Sequence, residues 1–262
     1  PTKSVREYYR INSYNQVIVE STIVGWIKLP EDESYYAGNF AWMGLHALER
    51  ADAIVNFANF ANAFGLVDSL VIIHSGYAGE HDGNPARIWS HSGPLPDWMD
   101  GDGSSDPWIS QEGVMATGYC TAPAMWGAQP PLPIDPDDVE IGHFGVICHE
   151  MGHHTFGLPD LYDTDYTSGG IGNWCVMSGG SWGFSGDQQD PTHLCAPLKE
   201  GLGWITPILI NTKDPNLDPW GSYNINASML DPDGTYRIDC YYDNLMVRTG
   251  PAAVEVAKAL ED

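Results

Sequence analysis

The sequence predicts a mixed α/β (α+β) fold, and three stretches support that prediction. Residues 69–74 form a short apolar run bounded by Asp68 and Gly76, which is typical of a buried strand. Between residues 41 and 64, apolar side chains recur at roughly helical spacing, which predicts an amphipathic helix packed against a sheet. The stretch 147–165 contains two histidines four positions apart, a spacing that places both on one face of a second helix.

Length, composition and charge narrow the classes of function. The chain has 262 residues, 43% of them hydrophobic, which suffices for one large domain or for a domain with an appendage. Lys and Arg number 11 against 35 Asp and Glu, so the formal net charge is -24. Since phosphate binding relies on basic patches, this charge argues against nucleic acid as a partner. The uncharged stretches 113–134 and 166–186 are interrupted by Pro, Gly and polar residues, so neither predicts a membrane span.

The first half of the chain alternates predicted elements with one long irregular segment. Residues 4–9 predict a short helix, and residues 16–29, rich in Val, Ile and Thr, predict a strand. Residues 93–136 are dense in Gly, Pro, Asp and Trp, and such a long irregular segment usually has a function or a ligand that orders it. Within it, residues 100–106 alternate oxygen-bearing side chains as a calcium loop does. Ser105 replaces the expected glycine and Gln111 stands at position twelve, so a plain acidic turn is favoured, with a calcium site as the alternative.

The second half is expected to begin with the helix that carries His149 and His153. Carboxylates at Asp137 and Asp138, following Pro136, predict a helix that begins there and runs through His153. Gly157 suits a left-handed helix cap, and Pro159 prevents the helix from resuming. The later predicted elements are a Gly-bounded turn with a methionine at 172–180, a helical segment at 191–203, strands at 206–210 and 235–242, and a short helix at 252–260.

The pattern H-E-x-x-H, formed by His149, Glu150 and His153, predicts a catalytic zinc site. A zinc ion held by two imidazoles and a third ligand keeps one position open for water, whose pKa it lowers to about 7. Glu150 is then placed to take the proton as general base and to return it as general acid. A chance match on a buried helix is the alternative.

The third ligand is expected from the chain that turns back after the helix. Asp160, seven positions after His153, is the first candidate, ahead of His154, Asp163 and Asp165. His154 points about 100° away from His153 on a helix, so it is interpreted as a packed or solvent-facing histidine. Asp163 and Asp165 either bind calcium or stiffen the turn.

The other histidines and the cysteines give weaker signals. His74, His81 and His91 are interpreted as structural or surface residues. His193 is interpreted first as a structural histidine, and a role in polarising a substrate carbonyl or stabilising an oxyanion is the alternative. The five cysteines, an odd count without a C-x-x-C pair, do not reveal a disulfide pattern, and Cys148 is interpreted as a core residue.

Five short sequence motifs lie between residues 147 and 204. They are H-E-M-G-H at 149–153, G-L-P-D-L-Y-D at 157–163, the methionine turn continuing to Gly183, P-T-H-L at 191–194 and K-E-G-L-G-W at 199–204. Together they resemble the immune-inhibitor-A family of secreted metallopeptidases, with weaker similarity at residues 4–9. The metal motif and the methionine turn also resemble metzincins, which place the glycine and the third ligand one residue nearer to the second histidine.

The resemblance implies a secreted zinc endopeptidase with a metzincin-like fold: a twisted mixed sheet, a backing helix, an active-site helix and a lower subdomain after about residue 157. It implies a catalytic domain at 1–210, an unassigned extension at 211–262, zinc held by His149, His153 and Asp160, and catalytic Glu150. The acidic loops add calcium as a candidate second ion. Protein or peptide substrates are expected. A substrate peptide could bind as an additional strand along an edge of the sheet, and residues 76–89 are expected to form that edge.

Two alternatives remain for the function. One is a non-catalytic surface or assembly protein that retains the peptidase fold, and the other is a zinc hydrolase that acts on a different bond. No charged-then-apolar signal segment opens the chain at Pro1, so a secreted protein with this sequence is expected to be in its mature form.

Overall fold

The computed structural model describes residues 4–96, 107–130, 135, 137, 139–165, 167–211 and 235–239. They form a mixture of helices and strands, which confirms the α+β class. The chain divides into two compact units, Pro1–Leu198 and Lys199–Asp262. The catalytic-domain limits of 1–210 stay a prediction.

The helices and strands are bounded as follows. The α-helices are α1 (Val5–Asn12), α2 (Glu33–Gly38), α3 (Phe40–Ala51), α4 (Gly79–Asp82), α5 (Gly145–Phe156) and α6 (Ala196–Gly201). The strands are β1 (Val71–Tyr77), β2 (His91–Pro94), β3 (Trp108–Ile109), β4 (Met115–Ala116), β5 (Gly118–Met125), β6 (Ile208–Asn211) and β7 (Tyr236–Asp239). Short 3-10 helices span Phe57–Phe60, Gly172–Trp174 and Gly179–Trp182.

The first unit is built on a mixed three-stranded sheet in the order β1-β5-β2. β5 runs parallel to β1 and antiparallel to β2, with Cys120 opposite both Val71 and Ser92. The mixed sheet and the strand near residues 69–74 are therefore as predicted. The prediction that residues 93–136 are irregular is wrong at β5. This central strand contains Gly118 and Pro123 and shows no alternation of apolar and polar side chains, so it lacks the usual strand pattern.

α3 is the predicted backing helix, and it packs directly on the sheet. A Cβ atom at Gly44 would lie 2.5 Å from Cδ1 of Tyr119, so only glycine allows this approach of the helix to β5. The helix ends at Ala51 instead of continuing to Phe64, which is 83% exposed. Farther along, Asn56 accepts a hydrogen bond from the N–H of Ala58 through its side chain, a local alternative to helical bonding.

Two other predicted elements are absent or shorter. Residues 17–29 form no strand in the structure. The helix that carries His149 and His153 begins at Gly145, well after the predicted start at Pro136, because the preceding segment bonds to the end of β5. The N–H of Trp126 donates to the carbonyl of Glu140, and the N–H of Gly142 donates to the carbonyl of Ala124. A segment paired to a strand in this way cannot also form helical hydrogen bonds.

In the second unit, β6 pairs in parallel with β7, which confirms both predicted strands. The calcium-type loop at 100–106, the helix expected at 252–260 and Cys240 lie outside the described residues. Among the helices that the structure describes, none combines the length and the apolar character that a membrane crossing requires.

Candidate metal centre

The active-site helix α5 is held at both ends by specific backbone contacts. At the start of α5, the backbone carbonyl of Gln188 accepts a hydrogen bond from the N–H of Gly145 at 3.0 Å. The side-chain Oε1 of Gln188 accepts one from the N–H of Val146 at 3.3 Å. At its end, Gly157 adopts a left-handed conformation with φ of 65°. The predicted end of the helix at Gly157 is therefore confirmed, and both imidazoles of the motif lie within one rigid element.

The methionine turn lies directly against α5. Met177 is fully buried, and its Sδ would be 2.4 Å from a Cβ atom at Gly152. The turn also orients a candidate metal ligand, because the carbonyl of Val176 accepts the Nδ1–H of His149 at 2.8 Å. The glycine in the middle of H-E-M-G-H thus allows close packing of this turn against the helix.

Backbone carbonyls fix the tautomer of both histidines. The carbonyl of Leu158 lies 2.6 Å from Nδ1 of His153, as that of Val176 does for His149. Since a carbonyl oxygen can only accept, each Nδ1 carries a proton, which leaves Nε2 of each ring as the nitrogen that a metal ion can bind. Hydrogen bonds of this kind orient metal-binding histidines in known metalloproteins.

Three acceptor atoms converge in front of α5. Nε2 of His149 and Nε2 of His153 are 3.0 Å apart, and Oδ1 of Asp160 lies 3.1 Å and 3.0 Å from them. Oδ1 of Asp160 is buried without a hydrogen-bond donor. A tetrahedral zinc ion separates its ligand atoms by about 3.3–3.4 Å, so small movements accommodate it. These residues fit a zinc ion, because a cation satisfies three lone pairs that no proton donor satisfies.

The electrostatics of the site also favour a positive charge. Burial opposes the protonated form of His149, but contact with Asp160, the charge of Glu150 and the carbonyl of Val176 outweigh it, so the pKa of His149 is raised. A cation placed between the ligands meets the same favourable field.

The alternative third ligands are engaged elsewhere. Nε2 of His154 accepts the N–H of Leu70 at 3.1 Å. The carboxylate of Asp163 accepts from Thr167 and Ser168, and Asp165 accepts the N–H of Thr167. The structure therefore brings Asp160 together with His149 and His153 and uses the other two carboxylates to stabilise the following turn. The calcium prediction for that turn stays a prediction.

Glu150 lies on the same helix, directly after His149. It is 7% exposed, and burial raises the pKa of its carboxyl to about 7. The backbone N–H of Ser92 in β2 donates to this carboxylate. β2 is one of the two edge strands of this three-stranded sheet as described, and the substrate rim expected at 76–89 stays a prediction.

Two residues near the site were missed by sequence reasoning. The Tyr162 side chain is hydrogen-bonded to the carboxylate of Asp160, and its ring stacks on His149 with centroids 6.3 Å apart. The spacing of two between Asp160 and Tyr162 could have suggested a shared side of the chain. Gln188, which caps α5, has no local signal that predicts its role.

The other histidines pack among neighbouring side chains. His74 is buried in β1, His81 contacts Trp126 edge-on with centroids 4.5 Å apart, and Nε2 of His91 lies 2.7 Å from the hydroxyl of Tyr119. His193 packs edge-on to an aromatic ring of α1, at 6.3 Å between centroids. These contacts support structural roles for the first three, and a catalytic role for His193 stays a prediction.

Comparison with known proteins identifies the family. A family model described as the catalytic domain of immune inhibitor A peptidase M6 matches residues 49–203, more than half of the chain. Immune inhibitor A of Bacillus thuringiensis subsp. alesti is 30% identical over 233 residues, which cover 76% of this chain and 31% of the relative. The pre-pro-metalloprotease PrtV of Vibrio cholerae serotype O1 (strain M66-2) is 29% identical over 231 residues, covering 76% of this chain and 23% of the relative. The chain thus spans less than a third of either relative. The resemblance predicted from the motifs is confirmed, and the chain belongs to the immune inhibitor A family of M6 peptidases.

Proposed function

We propose that this chain is the catalytic domain of a secreted, zinc-dependent endopeptidase that hydrolyses peptide bonds in proteins. The observation that carries the proposal is the convergence of three acceptor atoms, from His149, His153 and Asp160, beside the buried carboxylate of Glu150. Relatives named as a metalloprotease and as immune inhibitor A support the activity. The extracellular location is inferred from the family resemblance.

The proposed zinc ligands and Glu150 have separate roles in the reaction. His149, His153 and Asp160 would hold the zinc ion, which supplies a Lewis acid and lowers the pKa of a bound water to about 7. Glu150 accepts the proton of the attacking water and passes it to the leaving amine. The N–H of Ser92 orients the Glu150 carboxylate, so the base is preorganised for this transfer.

The edge strand β2 offers a surface for an extended peptide. The N–H of Leu95 donates to the carbonyl of Thr117, so the odd-numbered residues of this segment face β5. Ser92 and Pro94 therefore direct their carbonyls toward the open edge. A substrate strand can donate its N–H groups to these two carbonyls, which aligns the peptide alongside the helix that carries Glu150.

Substitution of the proposed base tests the function. Glu150→Gln should retain one zinc per chain and lower kcat/KM on a quenched fluorescent peptide by about 10²–10⁴-fold. Glu112→Gln is the matched control, because Glu112 is exposed and should leave both readouts unchanged. A chelator should abolish hydrolysis by the wild-type chain, and added zinc should restore it.

The alternatives predict different results. Peptidase activity retained in Glu150→Gln would remove Glu150 from the mechanism. Hydrolysis of small esters but not of peptides by the zinc-loaded chain would favour a hydrolase of another bond. A chain that neither binds zinc nor cleaves peptides would favour the non-catalytic surface or assembly protein.

A further inference from the structure

Cys195 meets Cys175, which lies within the methionine turn, although the two are distant in sequence. Cys175 and Cys195 are 20 positions apart, and the backbone N–H of Cys195 donates to Sγ of Cys175 at 3.3 Å. Their thiols are also hydrogen-bonded to each other, and this contact and burial both raise the pKa of the Cys175 thiol. Each side chain carries a thiol in the structure. Neither cysteine has a role in the chemistry proposed above.

The backbone geometry brings the two residues within reach of a covalent bond. Because a backbone N and its Cα are about 1.46 Å apart, the Cα of Cys195 lies within about 4.8 Å of the Cys175 sulfur. Disulfides join residues whose Cα atoms are usually about 4.4–6.8 Å apart, and one Cβ–Sγ bond separates each sulfur from its own Cβ. The two residues are therefore close to the separation that a disulfide requires.

The two segments that carry these cysteines are already tightly packed. The N–H of Thr192 donates to the carbonyl of Gly180, and the N–H of Gly180 donates to the carbonyl of Cys175. A Cβ atom at Gly180 would lie 1.9 Å from Oγ1 of Thr192, so the segments approach as closely as backbone permits. The hydroxyl of Tyr8 in α1 holds the same region by donating to the carbonyl of Thr192 at 2.8 Å.

We propose that Cys175 and Cys195 form a disulfide in the secreted enzyme, and that this bond fixes the methionine turn beneath the metal ligands. The inference rests on the proposed extracellular location, since disulfides persist in oxidising compartments. The oxidant is a small-molecule or protein disulfide. One cysteine thiolate attacks the oxidant and expels one half of it as a thiolate, which leaves a mixed disulfide. The second cysteine thiolate then attacks the cysteine sulfur of this mixed disulfide and expels the other half of the oxidant as a thiolate. The two protons released by the cysteines end on the two expelled thiols.

The order of events follows from burial. Cys175 is fully buried in the folded chain, where its thiol is kept protonated and shielded from an oxidant. The exchange therefore takes place before this region packs, during folding. Once formed, the bond adjoins Val176, whose carbonyl orients His149, and Met177, which packs under α5. The disulfide is thus a structural support for the metal site.

Peptide mapping tests the proposal directly. Reduced, unfolded Glu150→Gln chain is refolded with oxidised glutathione, and any remaining thiols are alkylated after unfolding without reductant. Digestion with a protease that cuts before aspartate separates the two cysteines at Asp187 and Asp190. We expect the peptides with Cys175 and Cys195 to be joined, with a mass lower by two hydrogen atoms than the sum of the free peptides. Recovery of both peptides alkylated and separate would overturn the proposal.

Thermal unfolding supplies a second readout. A bond that closes a loop of this size should raise Tm by about 6–12 °C in a domain of about 200 residues. Reductant should remove this shift in Glu150→Gln but leave Tm unchanged in a matched Cys175→Ala/Cys195→Ala variant of the same protein. An equal response of both proteins to reductant would overturn the proposal. Neither readout depends on peptide hydrolysis, so failure of the proposed activity and failure of the disulfide are distinguishable.

Discussion

Replacement of Gly152 by alanine should destabilise the protein, although alanine is the better helix former. Gly152 lies in the middle of α5, and the added Cβ would be 2.4 Å from Sδ and 3.1 Å from Cε of Met177. Met177 is fully buried, so its side chain has little room to withdraw. The methyl group must therefore push the methionine turn away from the helix.

The magnitude follows from two opposing effects. Glycine to alanine within a helix stabilises by about 1 kcal/mol where space is open. Inserting a methyl group into a packed core costs about 1–3 kcal/mol. We expect Gly152→Ala to lower the free energy of unfolding by up to about 2 kcal/mol and to weaken zinc binding, because displacement of the turn moves the carbonyl of Val176 away from His149.

A double-mutant cycle measured by urea unfolding isolates this contact. In a Met177→Ala background the clash is absent, so Gly152→Ala should cost about 1–3 kcal/mol less than in the wild type. Gly38→Ala is the control, because no atom lies within 4 Å of a Cβ at that position in α2. If Gly152→Ala stabilises the chain as much as an open-space substitution does, with no coupling to Met177, the close packing is refuted.

Four further predictions address the ligands, the helix cap and pH. Asp160→Asn should weaken zinc binding at least about 100-fold in a chelator competition, because an amide is a poor zinc ligand, whereas Asp163→Asn should not change it. Tyr162→Phe removes the hydrogen bond to Asp160 and should lower zinc affinity about 10–100-fold, measured in the same way. Gln188→Ala removes a cap of α5 and should cost about 1 kcal/mol in urea unfolding. Burial lowers the pKa of His74 from 6.5 to about 4. As pH falls, the His74 side chain therefore takes up a proton at a higher pH in the unfolded chain than in the folded chain. Stability measured by urea unfolding should therefore fall by up to about 3 kcal/mol as pH drops from 6.5 to 4, and less in His74→Phe.

Each of these predictions has an outcome that contradicts it. Equal zinc affinities for the Asp160 and Asp163 variants would remove Asp160 from the ligand set. Wild-type zinc affinity in Tyr162→Phe would show that the Tyr162 hydroxyl does not contribute to zinc binding. A Gln188→Ala chain of unchanged stability would show that water caps the helix as well. Identical pH profiles for His74→Phe and the wild type would show that the buried imidazole does not contribute to acid sensitivity.

The arrangement of the candidate metal ligands was predictable because local sequence encodes most of it. The spacing of His149 and His153 follows from helical periodicity, and Gly157 ends the helix where a left-handed residue is needed. The chain then returns Asp160 to the same side after one short turn. Such features depend on a few neighbouring residues, so one sequence suffices to predict their arrangement.

Contacts between distant segments could not be predicted in the same way. Ser92 reaches Glu150 only because β2 pairs with β5, and β5 lacks the alternation that reveals a strand. Cys175 and Cys195 meet because the chain between them folds back on the methionine turn. Nothing near either residue in sequence encodes its partner, since both contacts depend on the packed tertiary structure.

The location of bound zinc tests the central claim most directly. Crystals of the zinc-loaded chain should show one strong anomalous peak at the zinc absorption edge. We expect it at about 2.0–2.2 Å from Nε2 of His149, Nε2 of His153 and a carboxylate oxygen of Asp160. A peak that lies away from the two imidazoles, or no zinc at these residues in zinc-replete crystals, would contradict the assignment of this site.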